Sequence, residues 1–139
     1  EPMFLPQGTG EDPAFVAEVQ HTVSIVSAGG ADMKLAARAI LKLAKMVQDS
    51  QGKIVIAKQV TVAEASGALL IQALAVYAAV PTMQAVTLIA MLSVSRDNAT
   101  VCEALCTAGG MDAVLCSMAT HVSETRLQQH ALAVLSQLA

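Results

Sequence analysis

The side chains in this chain of 139 residues with the most obvious chemistry are Cys102, Cys106, Cys116 and His121. Cys102 and Cys106 stand four apart and so share one face of a helix, while Cys116 and His121 could approach from the next helix as further zinc ligands. Structural zinc sites usually present two close pairs on knuckles or turns. These cysteines fall instead where helix-packing residues are expected, which predicts buried reduced thiols, no metal and no other cofactor. A hydrolytic triad would need His21, His121 or His130 as its base, and none of the three sits in a nucleophile elbow or a His-Glu-x-x-His helix. Gly29-Gly30 and Gly109-Gly110 lack the strand before and the lysine after that make a phosphate loop, so they read as helix-ending turns. The reading is a protein that is not an enzyme.

The elements that would carry these residues are helical. Apolar residues make up 55% and aromatic ones only 2%, so the core must be built from Ala, Val, Leu, Ile and Met. No succession of alternating strands with hairpin turns is present, and the length suits one domain. Residues 1–13 hold three of the four prolines and read as an extended lead-in; from residue 14 onward short helices alternate with breakers at 28–30, 49–52, Ser66-Gly67, Pro81, 96–98 and Gly109-Gly110. The net charge of −3 gives no footprint for gripping a phosphate backbone, which argues against nucleic acid. Three crowded cysteines and the absence of a signal-peptide pattern at the start point to the cytoplasm.

Residues 65–95 contain no Asp, Glu, Lys or Arg, and such a run has to be weighed as a membrane span. Pro81 divides it into two pieces of about fifteen residues, each short of the roughly 20 needed to cross a bilayer. The expectation is a buried helical hairpin and no membrane partner.

One helical pattern occurs three times, starting at Ala36, Ala85 and Ala131, at intervals of 49 and 46 residues. Intervals of this size belong to stacked helical repeats. Residues 96–139 resemble one armadillo unit: a short first helix (98–107), a glycine turn at Ala108-Gly109-Gly110, a second helix (111–121) and a third (124–139). The run from Gln128 to Ala139 is similar to that family's Gln-x-x-Ala-Leu-x-x-Leu-x-x-Leu-Ala pattern. An earlier unit would place helices near 51–62, 66–79 and 82–94, and residues 14–46 would supply an incomplete first one. Gly29-Gly30 and Gly109-Gly110 also support another register in which they are equivalent turns. The implied fold is all-α, a right-handed α-α superhelix of about two to three armadillo-like repeats, of ARM or HEAT type, with approximate units 14–48, 49–95 and 96–139.

In armadillo proteins the third helices line a groove that holds extended partner segments. Carried over by register, the resemblance implies groove positions at Lys34, Arg38 and Lys42, then Met83, Thr87 and Met91, then Gln129, Ala133 and Gln137. The cations would pair with an acidic protein or peptide partner, and the methionines would supply adaptable apolar contacts. The plainer alternative, which the residue types favour, is that Lys34, Arg38 and Lys42 form an ordinary solvated helix face and that the methionines are core. The Trp and Asn that importin-type grooves repeat one turn apart are replaced here by Arg38 and Lys42, Thr87 and Met91, and Ala133 and Gln137, which argues against nuclear-signal binding. The expected function is a protein-interaction scaffold. The alternatives are an obligate subunit or fragment of a larger assembly, such as a cytoskeletal one, with further repeats or subunits covering the helical ends, and a zinc-binding helical domain.

Overall fold

A computed structural model describes residues 13–28 and 32–139, which form seven helices: α1 (Pro13–Ala28), α2 (Met33–Met46), α3 (Ile56–Val76), α4 (Pro81–Ser95), α5 (Ala99–Thr107), α6 (Gly110–Thr120) and α7 (Thr125–Leu138). Among the described residues there is no strand, only one antiparallel bridge between Gln48 and Ile54. The chain is all-α, as its composition predicts. Pro13 opens α1; the rest of the lead-in and the Gly29-Gly30 pair lie outside the described residues.

Local chemistry explains most helix starts. The Asp32 carboxylate accepts from Leu35 N and the Asn98 side chain accepts from Val101 N, each capping donors that the first turn of α2 or α5 leaves unpaired. Pro81 is the first residue of α4, where its missing N–H costs nothing. Between α2 and α3, Asp49 Oδ1 accepts from the backbone of Gln51 and Lys53 while Gly52 takes φ +80°, so this breaker is a tight turn. The turn and its bridge delay α3 until Ile56, five residues later than the expected start.

A second breaker behaves differently. Ser66-Gly67 was expected to separate two helices, yet α3 runs through both residues without interruption for 21 residues. Both are buried, and a Cβ on Gly67 would lie 3.5 Å from Leu105 Cδ2. Ser66 Oγ donates to Val62 O within the helix and Gly67 faces Leu105 with room for a Cβ, so the pair is packed into α3 rather than ending it. The continuous helix also exceeds the fifteen-residue piece expected here: by length and composition alone α3 could cross a membrane. In this fold it packs against α1, α4, α5 and α6. Gly109, at φ +92°, is a true break, and α5 and α6 meet there at a bend of 72°.

The helices pack in two rows. α4 lies between α2 and α7, while α3 lies between α1 and the α5–α6 pair; α1 packs on α2, α3 on α4 and α6 on α7. Ile40, Leu43, Leu70, Leu88, Met91 and Val134 are fully buried between the rows, so aliphatic side chains and Met fill the space that aromatics fill elsewhere.

Specific polar contacts repeat along the stack. Gln84 Nε2 donates to the carbonyls of Leu74 (3.1 Å) and Tyr77 (2.8 Å), and Gln128 Nε2 donates to those of Met118 (3.0 Å) and His121 (2.9 Å). Each residue of the second set follows its counterpart by 44 positions. Backbone bonds around both turns repeat at the same shift: Tyr77 N to Ala73 O, Val80 N to Tyr77 O and Gln84 N to Val80 O match His121 N to Ser117 O, Glu124 N to His121 O and Gln128 N to Glu124 O. A glutamine at the fourth position of the second helix thus satisfies carbonyls that end the first.

Candidate functional site

The row formed by α2, α4 and α7 carries charge of one sign. These three helices contain Lys34, Arg38, Lys42, Lys45 and Arg126 and no Asp or Glu, although acids outnumber bases in the whole chain by 11 to 8. The described acidic residues lie on α1, α3, α5 and α6 or in the connections, at Glu18, Asp32, Asp49, Glu64, Asp97, Glu103, Asp112 and Glu124. A helix has 3.6 residues per turn, so Lys34, Arg38, Leu41 and Lys45 form a single stripe along α2. Lys34, Arg38 and Lys45 are exposed and make no ion pair among the described residues. Lys42 lies about 80° further round. There its Nζ meets Glu18 of α1 at 3.3 Å in an exposed pair, a contact that contributes little to stability.

The expected middle ridge does not exist as an accessible surface. Met83, Thr87 and Met91 are buried, and Thr87 Oγ1 donates to Met83 O within α4. The reason is register. Burial of Ala36, Ala39, Ile40, Leu43 and Val47 matches that of Gln84, Thr87, Leu88, Met91 and Ser95, a shift of 48 rather than 49. From α4 to α7 the shift is 44 rather than 46. Met83, Thr87 and Met91 thus stand one residue, about 100°, off the register set by α2 and two residues, about 200°, off that set by α7, which turns them inward.

The corrected stripe runs from Lys34, Arg38, Leu41 and Lys45 to Thr82, Val86, Ile89 and Ser93, and then to Arg126, His130, Ala133 and Gln137. All of these are exposed or half-buried. Ala133 and Gln137 keep their expected place and Gln129 is exposed beside them. The surface has cations on α2 and α7 and half-buried Val86 and Ile89 between them. Sequence periodicity missed Val86, Ile89 and Arg126; the paired glutamines 84 and 128 were the signal that could have found them.

The far side of α7 has a different character. α4 has neighbours on both sides and its Leu88 and Met91 are fully buried. α7 packs on α4, and the equivalent Leu132 is 57% exposed with Leu135 half-buried. Leu115 on α6 and Val122 after it are also exposed, so one end of the stack is apolar and open.

The cysteines divide by environment. Buried Cys102 holds its Sγ 3.3 Å from both Ser95 O and Gln137 O, where its single proton can serve either carbonyl, and half-buried Cys106 donates to Leu138 O, so both lie against the end of α7. Cys116 is exposed, which corrects the expectation of a third buried thiol. His121 Nε2 donates to Ala78 O at 2.7 Å, in the position that Tyr77 holds in the preceding hairpin. Among the described residues no three His, Cys, Asp or Glu side chains come close enough to hold a metal ion. Compared with protein-family models, curated proteins and solved structures, the chain matches none.

Proposed function

We propose that the chain is an armadillo-like helical-repeat module, a short superhelical solenoid, that binds an acidic, partly apolar segment of a partner protein along the α2–α4–α7 row. The observation that carries this reading is the sorting of charge by row: five of the eight Lys and Arg residues and no carboxylates on that row, in a chain that is acidic overall. Solvation alone gives no reason to keep every carboxylate off three helices. A field of one sign steers a partner of the other and disfavours like-charged competitors. Half-buried Val86 and Ile89 offer apolar contact between the cations. The 44-residue repetition of the glutamine caps supports the repeat reading. A partner-binding role of this kind needs no catalytic group or cofactor and suits a cytoplasmic protein.

The test is selection of binders from a random peptide display library on the immobilised chain. Acidic peptides that lose binding to the Lys34→Glu/Arg38→Glu variant and keep it with Glu64→Lys support the reading. Peptides insensitive to both changes would sink it.

A second reading, an obligate subunit of a larger assembly, is favoured by the open end at Leu115, Val122 and Leu132. It requires a neighbouring helical surface over α7, and a chain that stays monomeric and folded at high concentration counts against it.

A further inference from the structure

From Gln59 to Gly67, α3 runs beside α5, with Gln59 hydrogen-bonded to Asn98 at one end and Gly67 against Leu105 further along. Between the two helices lies a cleft of about 260 Å³. Helices with ordinary side chains would close such a gap. Here Ala63, Gly67 and Ala68 of α3 and Ala104 of α5 are too small to fill it, so Val60, Val101 and Leu105 wall an open apolar trough.

Among the described residues only two polar side chains line the cleft, Glu64 and Thr100. Both are exposed, so they stand at its mouth, and Glu64 makes no ion pair among the described residues, whereas Glu18 meets Lys42. Lys58 is the one cation on either helix, and it does not line the cleft. Its Nζ lies 5.3 Å from the centre of the Phe15 ring on α1. The last turn of α5, which supplies Ala104 and Leu105, adds partial negative charge from the carbonyls at the helix end.

We infer that this cleft binds an alkylammonium ion, with an aliphatic stem in the trough and a positively charged amine at Glu64 and Thr100. The lining selects the chemistry. An ammonium has three donors and no acceptor, and a carboxylate and a hydroxyl oxygen both accept. A carboxylate or phosphate ligand would meet the Glu64 charge with no cation in the cleft to offset it. The walls hold no aromatic ring, so the stem is held by removing its CH2 groups from water and not by cation-π attraction. A cavity of about 150 Å³ holds benzene, which gives this larger one length for a chain of roughly six carbons.

Two sources present this group, a free amine and the side chain of a partner's lysine. The cleft lies on the other row from the cations of α2 and α7 and does not rest on the binding function proposed for them. The experiment is an NMR titration of the full chain with hexylammonium and hexanoate, equal six-carbon chains of opposite charge. The expected result is a saturable shift of the Ala63, Ala68 and Ala104 methyls with hexylammonium, with a dissociation constant on the order of 1 mM for so small a ligand. Hexanoate should bind about tenfold more weakly, as attraction at the mouth becomes repulsion. Glu64→Gln should weaken hexylammonium about threefold and erase the preference between the two ions.

Ala104 is exposed, so Ala104→Leu keeps the helix and fills the cleft; it should abolish the response and leave the urea midpoint in place. Blocked lysine, Nα-acetyl-lysine methylamide, identifies the source. Shifts of the same methyls assign the cleft to a partner's lysine, and their absence where hexylammonium binds assigns it to a free amine. Equal binding of the two ions, indifference to Glu64→Gln, or no saturable shift overturns the assignment. Each of these results leaves the charged row to be judged by its own experiment.

Discussion

Gln84 and Gln128 stand 44 residues apart and do the same work, each giving both amide protons to the last carbonyls of the helix before it. Their surroundings differ, because Gln84 is fully buried and Gln128 only half-buried. Leucine at either place would leave two carbonyls without their donor. For Gln84→Leu we expect a loss of about 2–4 kcal/mol, since neither carbonyl can turn to water. Gln128→Leu should cost about 1 kcal/mol, because solvent can replace part of the cap. Urea unfolding of both variants measures the difference, and equal losses would show that burial does not govern the cap.

Two glycines beside Leu105 make opposite predictions. A Cβ on Gly110 would fall 2.8 Å from the Leu105 carbonyl oxygen, so Gly110→Ala should destabilise by about 2 kcal/mol or more as backbone shifts. On Gly67 the Cβ meets only Leu105 Cδ2 at an ordinary 3.5 Å. Gly67→Ala should therefore be neutral or stabilising by up to about 1 kcal/mol, the helix-propensity difference. Thermal melts of the two variants test the contrast.

Leu88 and Leu132 occupy the same register position with opposite burial. Leu88→Ala should cost about 2–4 kcal/mol through the cavity it leaves. Leu132→Asp should change stability by less than about 0.5 kcal/mol, as an exposed substitution does. If the open end self-associates, the same change should lower the mass seen by light scattering at high concentration. A variant that fails to fold would show that Leu132 contributes to the core.

Thiol reactivity should follow the three environments. Cys116 is exposed, Cys106 is half-buried and Cys102 is buried with its Sγ engaged between Ser95 O and Gln137 O. Titration with a thiol-reactive disulfide reagent should modify Cys116 first and Cys102 only on the timescale of unfolding. Rapid modification of Cys102 in folded protein would mean that α5 opens locally from α7.

Helix identity was legible in the sequence because it rests on local features: spacing of apolar residues, Asp32 and Asn98 at helix starts, Pro81 at a first position and Gly109 at a break. The three helices of residues 98–139 fall where their pattern predicts. The absence of carboxylates from the segments of α2, α4 and α7 is equally visible in the sequence, although it acquires meaning only once those helices are known to share a row.

Tertiary structure alone decided which face of each helix looks outward. Ala-rich helices with apolar residues on several sides have more than one plausible register, and aligning Ala85 with Ala131 puts Met83, Thr87 and Met91 on the surface. The glutamine caps set a shift of 44, and those residues became core. Ser66-Gly67 and Gly109-Gly110 look alike as breakers, but the first lies buried against Leu105 in an unbroken helix and the second holds a left-handed residue. Propensity is a property of neighbouring residues in the chain; which neighbour across space fills the gap beside a glycine, or covers one side of a helix, is settled only when the rows pack.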